Sequence, residues 1–320
     1  MPNSNPLINC IFLGTSSFAV PTLRALAEGA ETSPAVVYTQ PDQPAGRGRR
    51  PRASPVKEAA EELGLPVVQP VRLRAPEEVD RLRSFEPAVL VLAAYGQILP
   101  ARILDVPPHG GLNVHPSLLP KHRGPSPVAT AILEGDEVTG VSIFSMDAGM
   151  DSGPVLARRE IAIGLWETAE TLTDRLAEHG ARLLMEVVGP WVGGSLAAEP
   201  QDASSVTTTR LLSREDAVID FSQPASALAN RVRALDPWPG TATTLDGQRF
   251  NIRAAHASDT ETPPGALGEV VSLVAGVIGM VVGDGTVLVL DRVQIAGKRP
   301  MDADEFVRGR RDFVGTVLPS

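Results

Sequence analysis

Residues 7–13 (LINCIFL) and 88–94 (AVLVLAA) are short, nearly continuous apolar runs, and the first stops at Gly14. A strand wetted on one face alternates apolar and polar residues, whereas a strand covered on both faces has no reason to alternate. Both runs therefore predict central strands of a sheet buried between two layers. A helix is predicted from about Phe18 to Glu28, and residues 35–39 form a second short strand. Residues 54–63 begin Ser-Pro-Val-Lys, an N-cap serine followed by proline at the first helical position. Further strands fit 112–114, 140–146 and 155–161. Residues 168–188 carry Leu172, Leu176, Leu183 and Val187 on one helical face. Strands alternating with helices predict an α/β fold, a Rossmann-like, mostly parallel sheet with helices on both faces.

After this helix the texture changes. Gly193-Gly-Ser-Leu-Ala-Ala-Glu-Pro-Gln-Asp-Ala-Ser-Ser reads as a linker. Beyond it, a helix over 224–235 precedes short apolar stretches at 270–274, 277–282 and 286–290, separated by Asp-Gly and Pro-Gly turn signals. That pattern predicts a small OB-like β-barrel. The expected organisation is a catalytic domain over 1–192, a linker over 193–210 and a barrel domain over 211–320.

With aromatic residues at only 4%, the core must be built from Val, Leu, Ile and Ala. A formal net charge of −9 weighs against a protein that coats nucleic acid, though not against a local basic patch. No apolar run approaches the ~20 residues that span a bilayer, and the N-terminus has no secretory pattern. Cys10, the one cysteine, reads as a buried structural thiol. The expectation is a cytoplasmic protein. Gly14 opens no dinucleotide fingerprint, since the second and third glycines are missing, and no phosphate-cradling Gly-Lys-Ser/Thr loop is present.

The chemistry concentrates in Gly111-Leu-Asn-Val-His-Pro-Ser-Leu-Leu-Pro. In a strand, Asn113 and His115 project to one face while Val114 points into the core. A carboxamide beside an imidazole suits a carbonyl whose oxygen becomes negative. On these residues alone, a strand end with two solvated polar side chains explains the pattern equally well. Met146-Asp-Ala-Gly-Met-Asp-Ser-Gly-Pro adds two aspartates in a glycine-punctuated loop after a strand. Asp147 reads as a cap for the turn's own N–H groups. Asp151, if it meets His115, would favour the imidazolium and orient the ring. No zinc-type spacing occurs and no metal is expected.

These segments, with Phe12-Leu-Gly-Thr before them and Ala94-Tyr-Gly-Gln-Ile-Leu-Pro between, resemble the folate-dependent formyltransferases over nearly the whole chain. The resemblance implies that Asn113, His115 and Asp151 form the catalytic triad. It also implies that Ser117, Leu118, Leu119 and Pro120 border the folate, with 10-formyltetrahydrofolate as formyl donor. Within the family, members that act on initiator methionyl-tRNA share a basic insertion similar to residues 42–57 here. This stretch holds Arg47, Arg49, Arg50, Arg52 and Lys57 against the single acid Asp42. It reads as an extended loop that would grip the end of the acceptor stem. Lys298 and Arg299 are weaker tRNA contacts, because Asp302, Asp304 and Glu305 dilute the cationic cluster around them. Pro116 departs from many tRNA-specific members and is common in those that formylate glycinamide ribonucleotide; separately, an amino-sugar nucleotide as acceptor is the alternative activity. The expected state is a monomer.

Overall fold

The computed structural model describes residues 7–45, 50–258 and 265–319. Two units emerge, one drawn from Met1–Pro127, Val138–Ala162 and Thr173–Thr209, the other from Val128–Glu137, Ile163–Leu172 and Arg210–Ser320.

In chain order the first elements are β1 (Ile8–Gly14), α1 (Val20–Glu28), β2 (Thr32–Tyr38), the short β3 (Gln43–Ala45) and β4 (Arg50–Arg52), and α2 (Pro55–Glu62). Next come β5 (Val67–Val68), α3 (Pro76–Ser84), β6 (Val89–Ala93), α4 (Ala101–Leu104) and β7 (Gly111–His115). They are followed by α5 (Pro127–Leu133), β8 (Val138–Ser145), β9 (Val155–Ala162) and α6 (Ala169–Val192). Seven strands make one sheet in the order β5-β2-β1-β6-β7-β8-β9. Pairing is parallel from β5 to β7, and β8 runs antiparallel to both of its neighbours. The apolar runs are central as expected: all five residues of β6 are buried.

From β1 the chain builds outward through β2 to β5, then crosses back to build β6 and β7 on the other side. Strand order therefore reverses between β1 and β6, and the crevice at the carboxyl ends of such strands is where open α/β sheets bind ligands. Ser54 caps α2, its Oγ accepting from the Lys57 amide at 3.0 Å. The stripe Leu172, Leu176, Leu183 and Val187 of α6 is buried. Gly180 lets α6 approach the sheet closely, because a Cβ there would lie 2.6 Å from Val114 Cγ1.

The 42–57 stretch differs from the extended loop expected of it. Its described ends pair as an antiparallel ribbon, with Gln43 opposite Arg52 and Ala45 opposite Arg50. Lys57 is not in the ribbon at all but in the first turn of α2.

The second unit contains α7 (Ala225–Ala234), β10 (Thr241–Leu245), β11 (Gln248–Ser258), β12 (Val270–Ser272), β13 (Ile278–Val281), β14 (Val287–Ile295), β15 (Met301–Asp302) and α8 (Ala303–Gly309). Its sheet is antiparallel, in the order β10-β11-β14-β13-β12 with β15 on β14. Asp246 (φ 48°) and Gly247 (φ 74°) turn β10 into β11, the double positive φ that a two-residue hairpin requires. Phe250, Phe306 and Phe313 pack around one another at ring distances of 4.9–5.4 Å and anchor the core. This is the OB-like domain the turn spacing predicted. Among the described residues no helix is long and apolar enough to cross a membrane.

Candidate active site

β7 lies between β6 and β8, with Asn113 beside Leu92 on one side and opposite Phe144 on the other. His115, opposite Ser142, is the last residue of the strand. Val114 packs toward Gly180 of α6, so Asn113 and His115 emerge on the other face of the sheet. Asn113 is half-buried, and its carboxamide has no hydrogen-bond partner among the described residues.

His115 is not the solvated residue that a strand end permits: it is 4% exposed. Its Nε2 sits 3.1 Å from the His122 carbonyl oxygen. A carbonyl can only accept, so Nε2 carries the hydrogen and the neutral ring presents Nδ1 as a lone pair. Nδ1 faces Asp151 Oδ2 at 3.7 Å, too far for a direct hydrogen bond. Burial holds the pKa of His115 below its ordinary value; the charge of Asp151 and the bond to His122 oppose that without overcoming it. The resting imidazolium expected from a neighbouring carboxylate is therefore replaced by a neutral ring, because desolvation outweighs the carboxylate's pull.

Asp151 itself is held in the left-handed region (φ 49°), and its Oδ2 accepts from the Gly124 amide at 2.8 Å. Asp147 closes the loop on itself as predicted, accepting from the Gly149 amide at 2.9 Å and from Ser152 Oγ at 2.7 Å. Gly153 admits no side chain, since a Cβ would fall 1.8 Å from the Ser145 carbonyl oxygen.

The turn after β7 has internal work for most of its side chains. Ser142 Oγ accepts from the Leu119 amide at 3.0 Å and donates to the Ser117 carbonyl at 2.7 Å. Ser117 Oγ donates to the Lys121 carbonyl at 2.6 Å, and Arg158 Nε to the Leu119 carbonyl at 2.7 Å. Leu119 is buried against Phe144 and Val155. Leu118 and Pro120 remain half-buried.

At the β1–β6 crevice, Thr15 Oγ1 and Gln40 Nε2 both donate to the Tyr95 carbonyl, at 2.8 and 3.0 Å. Gly96 (φ 83°) passes Gln40 so closely that a Cβ would lie 2.4 Å from Nε2. Sequence reasoning quoted Thr15 only within Phe12-Leu-Gly-Thr and gave neither it nor Gln40 a role, because each matters only once three strand ends meet.

Of the predicted cations, Arg47 and Arg49 lie outside the described residues, and Arg50 is placed only as a residue of β4. Arg52 is exposed on the ribbon. Lys57 is committed to Asp42 at 2.8 Å, a pair that Gln69 joins at 2.7 Å. Lys298 is exposed, with no ion-pair partner among the described residues, whereas Arg299 pairs with Glu305 at 2.6 Å.

Residues 8–188 match the formyl transferase family, and residues 211–311 match its C-terminal domain. The methionyl-tRNA formyltransferase of Roseiflexus castenholzii is 46% identical over 307 residues, 95% of this chain and 96% of that protein. The methionyl-tRNA formyltransferase of Methylococcus capsulatus is 44% identical over 301 residues, 93% and 95% of the two chains. Among solved structures, an N-formyltransferase from Helicobacter canadensis in complex with folinic acid and dTDP-3-aminofucose superposes with a TM-score of 0.64 at 16% identity, covering 89% of this chain and 98% of that one. The HypX protein of Aquifex aeolicus in complex with tetrahydrofolic acid superposes with a TM-score of 0.61 at 17% identity, over 93% of this chain and 46% of that one. With both domains matched in order and nearly half the residues shared with full-length relatives, the chain belongs to the formyl transferase family.

Proposed function

We propose that this chain transfers the formyl group of 10-formyltetrahydrofolate to the α-amine of initiator methionyl-tRNA, as a cytoplasmic enzyme of translation initiation. The relatives that share its whole length carry that activity in their names. One observation carries the chemistry: His115 Nδ1 and Asp151 Oδ2 face each other across 3.7 Å with no proton of their own between them. An amine N–H entering that gap can donate to both.

An aminoacyl α-amine with a pKa of about 7.7–8.0 arrives partly as ammonium. Asp151 attracts that cation, and neutral His115 accepts the proton that the nitrogen must lose to become a nucleophile. The folate carrier supplies the formyl carbon. As the new N–C bond forms, the formyl oxygen becomes anionic, and the unpartnered Asn113 carboxamide donates to it, which is worth ~3–4 kcal/mol for one well-placed donor. Addition leaves the attacking nitrogen cationic, so it gives up a second proton, which Asp151 takes and returns to solvent; the bond from the formyl carbon to the leaving nitrogen then breaks, and the proton held on His115 Nδ1 passes to that nitrogen. Leu118 and Pro120 offer the turn's accessible surface to the folate, while Ser117 and Leu119 shape the turn from within.

The basic 42–57 stretch, whose sequence holds Arg47, Arg49, Arg50 and Arg52, grips the end of the acceptor stem, and Lys298 adds a second cationic contact. Lys57 and Arg299, already paired, contribute less.

Turnover of 10-formyltetrahydrofolate with charged initiator methionyl-tRNA, measured against a sugar-nucleotide amine, tests the reading. Formylation of the tRNA should dominate by orders of magnitude. Preference for the sugar amine would overturn it.

A further inference from the structure

Residues 189–210 fall between the two family matches, and their composition suggests a tether. From Glu199 to Thr209, however, the segment is bonded into the first unit. Glu199 and Val155 exchange two backbone hydrogen bonds, at 2.7 and 2.8 Å. Further on, the Arg123 amide donates to the Thr207 carbonyl at 2.9 Å, and the Thr209 amide to the Arg123 carbonyl at 2.7 Å. The His122 amide donates to Thr207 Oγ1 at 2.8 Å, and the Ser126 amide to Thr209 Oγ1 at 3.1 Å.

Gln201 stands between these two anchors with both ends of its carboxamide in use. Its Nε2 donates to the carbonyl oxygens of Asp151 and Gly153, at 2.9 and 2.7 Å. Its Oε1 accepts from Arg123 Nε and from an Arg123 terminal nitrogen, at 3.1 and 2.8 Å. Arg123 directly precedes Gly124, whose amide holds the Asp151 carboxylate. Gln201 thus ties the loop that carries Asp151 to the turn that holds its carboxylate. Asp151 gains from such a tie, because its left-handed backbone, which aspartate tolerates better than most residues, still costs energy to hold.

We infer that Gln201 is a positioning residue for Asp151, setting from the interdomain segment the carboxylate that faces His115 across the reaction gap. The inference rests on the proposed reading in which Asp151 and His115 act together on the amine.

The test is steady-state kinetics of the full chain with formyl donor and charged tRNA, across pH, for Gln201→Met and Asp151→Asn. Methionine fills a similar volume but cannot donate to the two carbonyls. Gln201→Met should lower kcat by ~10–10²-fold, the scale of a small misplacement, with both KM values within about threefold. The groups that act on the titration of His115 are Asp151 and His122. With Asp151 no longer held, the acid limb of kcat should move to lower pH in both variants, a shift that mere loss of packing would not produce. Should Gln201→Met fail to fold, Gln201→Glu keeps an acceptor for Arg123 while losing both donors, and the same fall in kcat is expected. Wild-type kcat and acid limb in the Gln201 variant, with Asp151→Asn impaired, would overturn the inference alone. Wild-type kcat in Asp151→Asn would overturn the reading beneath it.

Discussion

At the end of β7, polar side chains are buried or half-buried and left short of partners. The Asn113 carboxamide bonds to nothing among the described residues, and His115 and Asp151 stop 3.7 Å apart. In the second unit many of the arginines are paired with acids. Arg210 faces Asp216, Arg253 faces Asp236, Arg299 faces Glu305, Arg308 faces Asp304 and Arg310 faces Asp246. The contrast runs against what residue counts suggest. Exposed pairs of this kind are each worth only ~0–1 kcal/mol, but every pairing occupies a charge that could otherwise meet a ligand. A half-buried carboxamide whose donors and acceptor are left unused by the described residues is free to meet a ligand, and such an opening marks a place kept ready for substrate.

Asn113→Ala should break the comparison first if it is wrong. Turnover should fall by ~10²–10³, with folate binding largely kept. Because the Asn113 side chain makes no hydrogen bond among the described residues, the melting temperature should hold. Near-normal turnover, or a large loss of stability, would put Asn113 back among structural residues.

The pH profile sharpens the same point. Burial holds the pKa of His115 below the ordinary value of about 6.5, so the neutral ring persists to mildly acidic pH and the acid limb of kcat should lie below that value. Asp151 is the chief influence raising that pKa, so Asp151→Asn should move the limb lower still while cutting kcat by ~10–10². A limb above 6.5 would mean that His115 works from the charged state.

Gly180→Ala tests how firmly β7 is seated. In an unconstrained helix this change would stabilise by ~1 kcal/mol. Here the added Cβ would lie 2.6 Å from Val114 Cγ1 and 3.2 Å from Val141 Cγ1, so overpacking should reverse the sign, with a net loss of ~1–2 kcal/mol read by denaturant unfolding.

The buried strands were legible because a two-sided layer removes alternation, and the cap at Ser54 was legible because its chemistry is local. α3 was not recognised, since its helical evidence is mainly charge placement: Glu77 and Glu78 in the first turn, Arg81 and Arg83 in the last. Asn113 and His115 could be paired from their spacing alone. Their burial could not, because it depends on β8 lying alongside, nor could the protonation state of His115, which burial decides. Gln201 left no trace in sequence: it sits in a small-residue segment without periodicity, and its three partners, Arg123, Asp151 and Gly153, come from two distant loops.

The smallest effect belongs to the cations, where Arg52→Ala and Arg299→Ala form a matched pair. Both residues are exposed arginines in stretches first read as basic, but Arg299 already has Glu305 at 2.6 Å. If an unpaired charge is what RNA binding uses, Arg52→Ala should raise the tRNA KM a few-fold and reduce the slope of log affinity against log salt by about one. Arg299→Ala should leave that slope unchanged and alter stability by no more than ~0.5 kcal/mol, because an exposed pair contributes little on its own. Equal slopes for the two variants would mean that a charge engaged in a surface pair exchanges its partner for phosphate at no cost. The second unit's matched arginines would then be as available to tRNA as those of the ribbon.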